Sequence, residues 1–449
     1  MDPITALEHE QLGLFQSRTL RSRQLFDRAQ RVMPGGDTRT GTFHLPYPLF
    51  ISRGKGCQLW DADGNEYLDF LNNFTSLLHG HVHPAVHEAM VAQESQGTVH
   101  GTANELQVRL AELLCGRVPS VERNRFCNSG TEATLFALRA AKAFSGKAKI
   151  MKMEGGYHGS HDQVAVAMAP PYGTNATAGL SPGALSEVLL GTFNDLDYTA
   201  DLIRKHQHEL AAVIVEPMMG AGGAIPAEPS FLQGLRAVTA ECGVLLVLDE
   251  IITFRLGFGG IQEHYGIRPD LTTFGKIIGG GLAVGAFGGR TDVMATYDPT
   301  RPGAIVHSGT YNGNAATMAA GLTTLELFDR DAVARLNKAG DGLRDRLNGI
   351  LDAAGIEGLV AGTGSVLQLH FMAPPLRNAR DANRGDGRLL RLMHLSLLNR
   401  GVFAAARQMY VLSTAMSPET LGQFVRCFTE ALEPIAEAVK QANPMAGAR

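Results

Sequence analysis

Val244-Leu245-Leu246-Val247-Leu248-Asp249-Glu250 is five apolar residues followed by two carboxylates. A short unbroken apolar run is how a parallel strand buried on both faces reads, and the carboxyl ends of such strands carry the ligand-binding groups of open α/β sheets. Asp249 therefore reads as a carboxylate delivered to the ligand edge of a sheet. A surface acid fits less well, because a charge at the end of a buried run needs a partner. Lys149-Ile150-Met151-Lys152-Met153 and Ala211-Ala212-Val213-Ile214-Val215 have the same texture. From about 85 to 320 such runs alternate with helical stretches, which predicts an α/β fold, a mainly parallel sheet covered by helices.

Downstream, Phe274-Gly275-Lys276 is followed by Ile277, Ile278 and the glycines 279 to 281. The small, mostly uncharged stretch that follows, to Gly289, predicts a tightly packed, partly dry turn. Lys276 reads either as an ordinary surface lysine or as an amine that desolvation keeps neutral and nucleophilic. A buried carboxylate can hold a pyridinium nitrogen protonated, and a desolvated lysine can form a Schiff base with an aldehyde. Asp249 and Lys276 together point to pyridoxal 5'-phosphate.

Three further segments reach the same edge. Ser129-Gly130-Thr131-Glu132 precedes the helix-forming run Ala133 to Phe144 and offers N–H groups, two hydroxyls and a helix dipole to a phosphate. The same residues also read as a plain N-cap with a capping-box Glu. Glu154-Gly155-Gly156-Tyr157-His158-Gly159 places an aromatic ring after a strand, either stacked on a flat ligand or simply packed in its loop. Glu216-Pro217 closes another strand and brings its carboxylate to the edge.

At 449 residues the chain is too long for one ordinary core, so two or more lobes are expected. A formal net charge of −4 supplies no attraction to nucleic acid or an anionic membrane. Five scattered cysteines without a C-x-x-C suit neither a disulfide framework nor a zinc ribbon and fit a reducing cytosol. No apolar stretch approaches membrane-spanning length. His79-Gly80-His81-Val82-His83 alternates like a metal site, but Pro84 ends the run and no nearby acid or thiol completes it, so no metal is expected. Neither a dinucleotide nor a P-loop fingerprint occurs.

Residues 7–33 predict a helical arm ending at Met33-Pro34-Gly35-Gly36. Cys57 to Trp60 and Glu66 to Phe70 predict a hairpin around the turn Asp61-Ala62-Asp63-Gly64-Asn65, whose acids resemble a calcium loop with the glycine too early. Beyond 330 the texture predicts helices near 331–353 and 418–440, apolar runs near 358–372 and 402–414, and a mobile surface loop from Pro374 to Gly387.

In this order, Asn128-Ser129-Gly130-Thr131-Glu132-Ala133, Gly156-Tyr157-His158-Gly159, Asp249 to Arg255, Phe274 to Gly281, Gly285 to Arg290 and Ser308 to Asn314 resemble the class III (fold type I) pyridoxal-phosphate aminotransferases, over roughly 30 to 430. The branch most similar comprises glutamate-1-semialdehyde aminomutase and the β-amino-acid (β-phenylalanine) aminotransferases. The resemblance implies a large cofactor-binding domain over 85–328 and a smaller α+β domain from 1–84 and 329–449. It implies that Lys276 carries the cofactor as a Schiff base and shuttles the proton. Asp249 would meet the pyridine nitrogen, Ile251 and Tyr157 the two ring faces, and Ser129, Gly130 and Thr131 the phosphate. His158 and Glu216 join the cofactor-binding set, and Thr310 from a neighbouring subunit completes the phosphate cup, making a homodimer. Ile252 stands where many members carry Gln, so a hydrogen bond near the ring hydroxyl is absent or supplied elsewhere.

Arg39 and Arg407 resemble the arginines with which β-amino-acid aminotransferases grip a carboxylate; either also reads as a salt-bridge residue. The aminomutases show Pro-Ser-Ala-Phe-Glu where this chain has Arg407-Gln408. The implied activity is a ping-pong transamination from a β-amino acid, aromatic or apolar in its side chain, to 2-oxoglutarate or pyruvate in the cytoplasm. The alternatives are an aminomutase and a non-catalytic cofactor-binding protein. Phe43, Tyr47 and Phe74 are candidate side-chain pocket residues.

Overall fold

The computed structural model describes residues 2–173 and 178–442. The backbone forms two compact units, one of Met1–His83, Leu336–Pro375 and Arg384–Arg449, the other of Pro84–Arg335 and Leu376–Asn383.

The second unit is built on a seven-stranded sheet. From one edge its strands are Arg123–Cys127, Gly285–Gly289, Leu271–Gly275, Leu245–Asp249, Leu210–Val215, Lys149–Met153 and Val188–Gly191. Only Gly285–Gly289 runs against the others, pairing antiparallel with both neighbours. The central strands Leu210–Val215 and Leu245–Asp249 are buried at every position, as their unbroken apolar runs require. Register then decides what shares the carboxyl edge. Asp249 lies opposite Thr273, and Gly285 lies between Gly275 and Cys127. The residues just past these strands, including Asn128, Glu154, Glu216, Glu250 and Lys276, therefore emerge at one edge. Gly285 is glycine for a physical reason: a β-carbon there would sit 2.0 Å from the Ser129 carbonyl oxygen.

A lysine is among the ionisable side chains buried inside this unit. Lys152 is fully buried on its strand, and its Nζ donates to the carbonyls of Val164 and Val166 at 2.8 and 2.7 Å. These carbonyls end the short helix Asp162–Ala165, so the amine pins that turn to the sheet. Burial pulls the amine down to about 7 from its ordinary value near 10.5. A base depressed in the folded state makes folding less favourable below the folded value, and this penalty fades as pH rises toward the unfolded value. Between about pH 7 and 10.5, wild-type stability is therefore expected to rise relative to Lys152→Met. Urea titrations across that range measure it, and parallel curves would refute it.

The first unit holds a sheet of Ile51–Lys55, Gln58–Asp61, Glu66–Asp69 and Val402–Phe403, and another of Leu359–Thr363, Val366–His370 and Met409–Val411. The expected hairpin is present, with Gln58–Asp61 antiparallel to Glu66–Asp69. Asp61 does not face outward as a calcium ligand would. Its carboxylate accepts from the backbone of Asp63 and Asn65 and from the Tyr67 hydroxyl. His81 Nε2 pairs with Asp69 at 2.7 Å and His79 Nδ1 with Thr414 at 2.7 Å, so the alternating histidines face different partners. No group of three or more metal-binding side chains converges among the described residues.

Two expectations need correction. The N-terminal arm is two helices, Pro3–Arg18 and Leu20–Ala29, broken at Thr19. The Thr19 hydroxyl turns back to the Phe15 carbonyl at 2.7 Å and meets the Tyr47 hydroxyl at 3.0 Å. The stretch expected as a mobile surface loop contains the helix Ala379–Ala382 and belongs to the second unit at Leu376–Asn383. Arg380 grips Glu154 through two hydrogen bonds of 2.6 and 2.9 Å, and Asn194 holds the Arg377 carbonyl. Polar composition reads as loop, while a distant carboxylate orders it. No helix among the described residues is long and apolar enough to cross a membrane.

Candidate active site

The carboxyl edge of the large sheet gathers nine of the expected residues in one unit: Ser129, Gly130, Thr131, Tyr157, His158, Glu216, Asp249, Ile251 and Lys276. Asp249 is 3% exposed. Its Oδ2 lies 2.7 Å from His158 Nδ1, and its Oδ1 accepts from the Thr273 hydroxyl at 3.0 Å and the Ile251 N–H at 3.1 Å. A carboxylate only accepts, so His158 donates through Nδ1. Its Nε2 is buried and has no hydrogen-bond partner among the described residues.

Glu216, also buried, straps the neighbouring loop. Its Oε1 accepts from the Tyr157 N–H and its Oε2 from the Gly220 N–H, both at 2.9 Å. Burial, helped by the nearby Asp249 charge, holds the Glu216 carboxyl above its ordinary value. The strap leaves the Tyr157 side chain 43% exposed. Ile252 packs on the same loop: a β-carbon on Gly220 would lie 2.3 Å from its Cδ1.

Ser129 caps the 16-residue helix Gly130–Ser145, its Oγ accepting from the Glu132 N–H at 3.1 Å. Glu132 in turn accepts from the Asn128 N–H at 2.8 Å. The N-cap is thus present, while Glu132 reaches the N–H before the cap residue rather than the cap's own. The cap still leaves the N–H groups of Gly130 and Thr131 without a hydrogen bond among the described residues. Ile251 joins the turn to the lysine: a β-carbon on Gly130 would lie 2.7 Å from Ile251 Cδ1, and one on Gly275 3.5 Å from its Cγ2.

Lys276 follows its strand directly and is half-buried, with φ +53°. A left-handed conformation is uncommon for a residue with a β-carbon, and such outliers cluster at functional sites. Thr310 lies on an exposed segment with Val306 and Tyr311, 82% and 61% exposed. Asn312 ties that segment to Asn128 at 2.8 Å.

Sequence reasoning missed Thr273 and Gly220, since a strand threonine and a loop glycine carry no signal of their own. It also missed what Glu250 does. That carboxylate, fully buried, accepts from Thr253, Ile261 and Gln262, and so folds the segment after Asp249 back on itself. Burial raises its pKa.

Arg39 and Arg407 belong to the first unit, where both reach one turn, Asn72–Thr75. Arg39 Nη1 donates to Asn73 Oδ1 at 2.7 Å, and the Arg407 guanidinium lies 5.6 Å from the centre of the Phe74 ring. All four turn residues have positive φ, from +47° to +78°. Left-handed backbone costs about 1–2 kcal/mol per residue, least for asparagine. Asn72 secures the turn from within, its Nδ2 donating to the Val411 and Asp69 carbonyls at 2.8 and 3.2 Å.

The family description Aminotransferase class-III fits residues 41–415. A β-phenylalanine transaminase of Variovorax paradoxus is 42% identical over 406 residues, 90% of this chain and 91% of its own length. A glutamate-1-semialdehyde 2,1-aminomutase of Methanothermobacter thermautotrophicus is 39% identical over 426 residues, covering 94% of this chain and 100% of its own. The crystal structure of an omega-transaminase from Sphaerobacter thermophilus superposes with a TM-score of 0.89 at 41% identity, covering 93% of this chain and 98% of its own. The sheet is that of a fold type I transferase, and this chain belongs to the class III aminotransferases, enzymes that depend on pyridoxal 5'-phosphate.

Proposed function

We propose that this enzyme moves the amino group of a β-amino acid, aromatic ones included, to a 2-oxo acid such as 2-oxoglutarate or pyruvate by a ping-pong cycle. The observation that carries the substrate reading is the convergence of Arg39 and Arg407 on the Asn72–Thr75 turn, two guanidiniums suited to carboxylate groups beside an aromatic ring.

The residues present suit the cofactor. Asp249 uses three of about four acceptor positions on its carboxylate, which leaves one for a cationic ring N–H. The open N–H groups of Gly130 and Thr131 at a helix start suit a phosphate, with Ser129 capping the same turn. When bound, the cofactor supplies an electrophilic carbonyl carbon and a sink for the electrons released at the substrate carbon. Asp249 would keep a proton on the ring nitrogen, while His158 and Thr273 hold its carboxylate in place. Tyr157, with its exposed face, and Ile251 would flank the ring; Glu216 sets the Tyr157 backbone. Lys276 Nζ would anchor the cofactor and carry the proton away from the amine-bearing carbon.

A cytoplasmic homodimer completes the proposal, with Thr310 reaching the partner's phosphate site. Its support is the exposed pair Val306 and Tyr311 on either side of Thr310, flanked by recesses of about 520 and 530 Å³. All five thiols are free, which suits a reducing compartment.

An amino-donor panel with 2-oxoglutarate and pyruvate, including both enantiomers of a β-aryl β-amino acid, tests the substrate reading. Arg39→Ala and Arg407→Ala are each expected to raise KM for a carboxylate-bearing substrate about 10- to 100-fold, the size of a lost charge-assisted hydrogen bond. Unchanged KM in both would refute the carboxylate role. The 39% identity to an aminomutase supports a second reading, intramolecular amino transfer. Isomerisation without an acceptor would establish that reading, and transfer to 2-oxoglutarate would exclude it.

A further inference from the structure

The left-handed turn Asn72–Thr75 is a strained feature of the first unit, with four successive residues at positive φ. Asn72 and Asn73 suit positive φ, but Phe74 and Thr75, at +53° and +78°, do not. Such a conformation persists only where its surroundings over-determine it. Here Asp69 Oδ1 accepts from the Leu71 and Asn72 N–H groups, Asn72 Nδ2 bridges to Val411, and Asn73 Nδ2 donates to the Ser76 hydroxyl. These bonds hold the backbone and leave Asn73 Oδ1 for Arg39, at 2.7 Å. Phe74 is presented on the other side. Its ring meets Gly41, two residues beyond Arg39, where a β-carbon would lie 3.7 Å from Cζ, and it faces Arg407 at 5.6 Å.

We propose that this turn is a positioning element for carboxylate recognition, Asn73 aiming the Arg39 guanidinium and Phe74 supporting that of Arg407. The inference rests on the reading of these arginines as carboxylate-binding residues. A flexible guanidinium loses rotamer freedom when it grips a substrate, and an anchor that orders it beforehand reduces that cost. Asn73 binds through one Nη1 hydrogen, leaving the other donors of the fork for a ligand. A neutral amide is required, because a carboxylate at this place would compete with the substrate for the same charge.

The test compares Asn73→Asp, Asn73→Gly and Phe74→Leu with Arg39→Ala and Arg407→Ala in the holoenzyme, using the best carboxylate-bearing donor from the panel and the 2-oxo acid. Asp tolerates positive φ, adds a charge and loses the Nδ2 bond to Ser76; Gly adopts positive φ freely and loses the same bond without adding charge, so the difference between the two variants reads the charge. Asn73→Asp is expected to raise KM for the substrate read by Arg39 at least about tenfold, approaching Arg39→Ala, with kcat within twofold. Asn73→Gly should give a smaller rise, and Phe74→Leu should raise KM for the substrate read by Arg407. Melting temperatures separate a structural role: lowered stability with unchanged KM in the folded enzyme overturns the inference. If the arginine variants raise KM and the turn variants do not, positioning is wrong and the carboxylate reading stands. If the arginine variants leave KM unchanged, that reading falls and takes the inference with it.

Discussion

Lys276→Ala is expected to lower turnover at least about 10³-fold and to remove the visible absorbance of lysine-bound cofactor, while the protein stays folded. General acid–base catalysis alone accounts for about 10²–10⁴-fold, and this variant also loses the anchoring amine. Stability should be spared, because the strand before Lys276 is fixed by register on both sides. Alanine inherits the same left-handed backbone at no new cost. Lys276→Arg keeps a charge but not a nucleophile and should not rescue activity. Lys152 is the instructive competitor. Burial pulls its amine down to about 7. Yet it is fully buried and committed to two carbonyls, so no substrate reaches it. Borohydride reduction and peptide mapping should fix the cofactor on the peptide containing Lys276. Fixation on another lysine, or a Lys276→Ala enzyme within tenfold of wild type, would sink the assignment.

Asp249→Asn is expected to lower kcat about 10²- to 10³-fold, the usual cost of removing one preorganised electrostatic partner. The substitution is close to isosteric, so the effect reads charge rather than shape. An amide has one accepting oxygen where the carboxylate has two, so the bonds from His158 on one side and from Thr273 and Ile251 on the other cannot all be kept. Thr273→Val leaves the charge and removes one hydrogen bond, and should cost far less. Asp249→Asn with kcat within tenfold of wild type would show that the carboxylate is not the ring-nitrogen partner.

Much of the candidate site is legible because it lies at the ends of buried strands. The run before Asp249 and the glycine-rich turn around Lys276 each reveal their place locally, through an apolar stretch that stops at a polar residue. Ser129 and Glu132 show their cap through a spacing of three. Thr273 is invisible by the same logic, since only strand register sets it opposite Asp249. The ordered segment at Leu376–Asn383 was hidden because the carboxylate that orders it, Glu154, lies far back in the chain.

Sequence alone determined the sheet, the chain order of the motifs and the residues at its carboxyl edge, because hydrophobic periodicity is a local property that each strand carries in itself. Tertiary structure decided the rest: Thr273, His158 and Ile251 around one carboxylate, a lysine sealed inside the sheet, and two arginines from opposite ends of the chain on one left-handed turn. Those are contacts between residues that share no local pattern, and only the packing of elements brings them together.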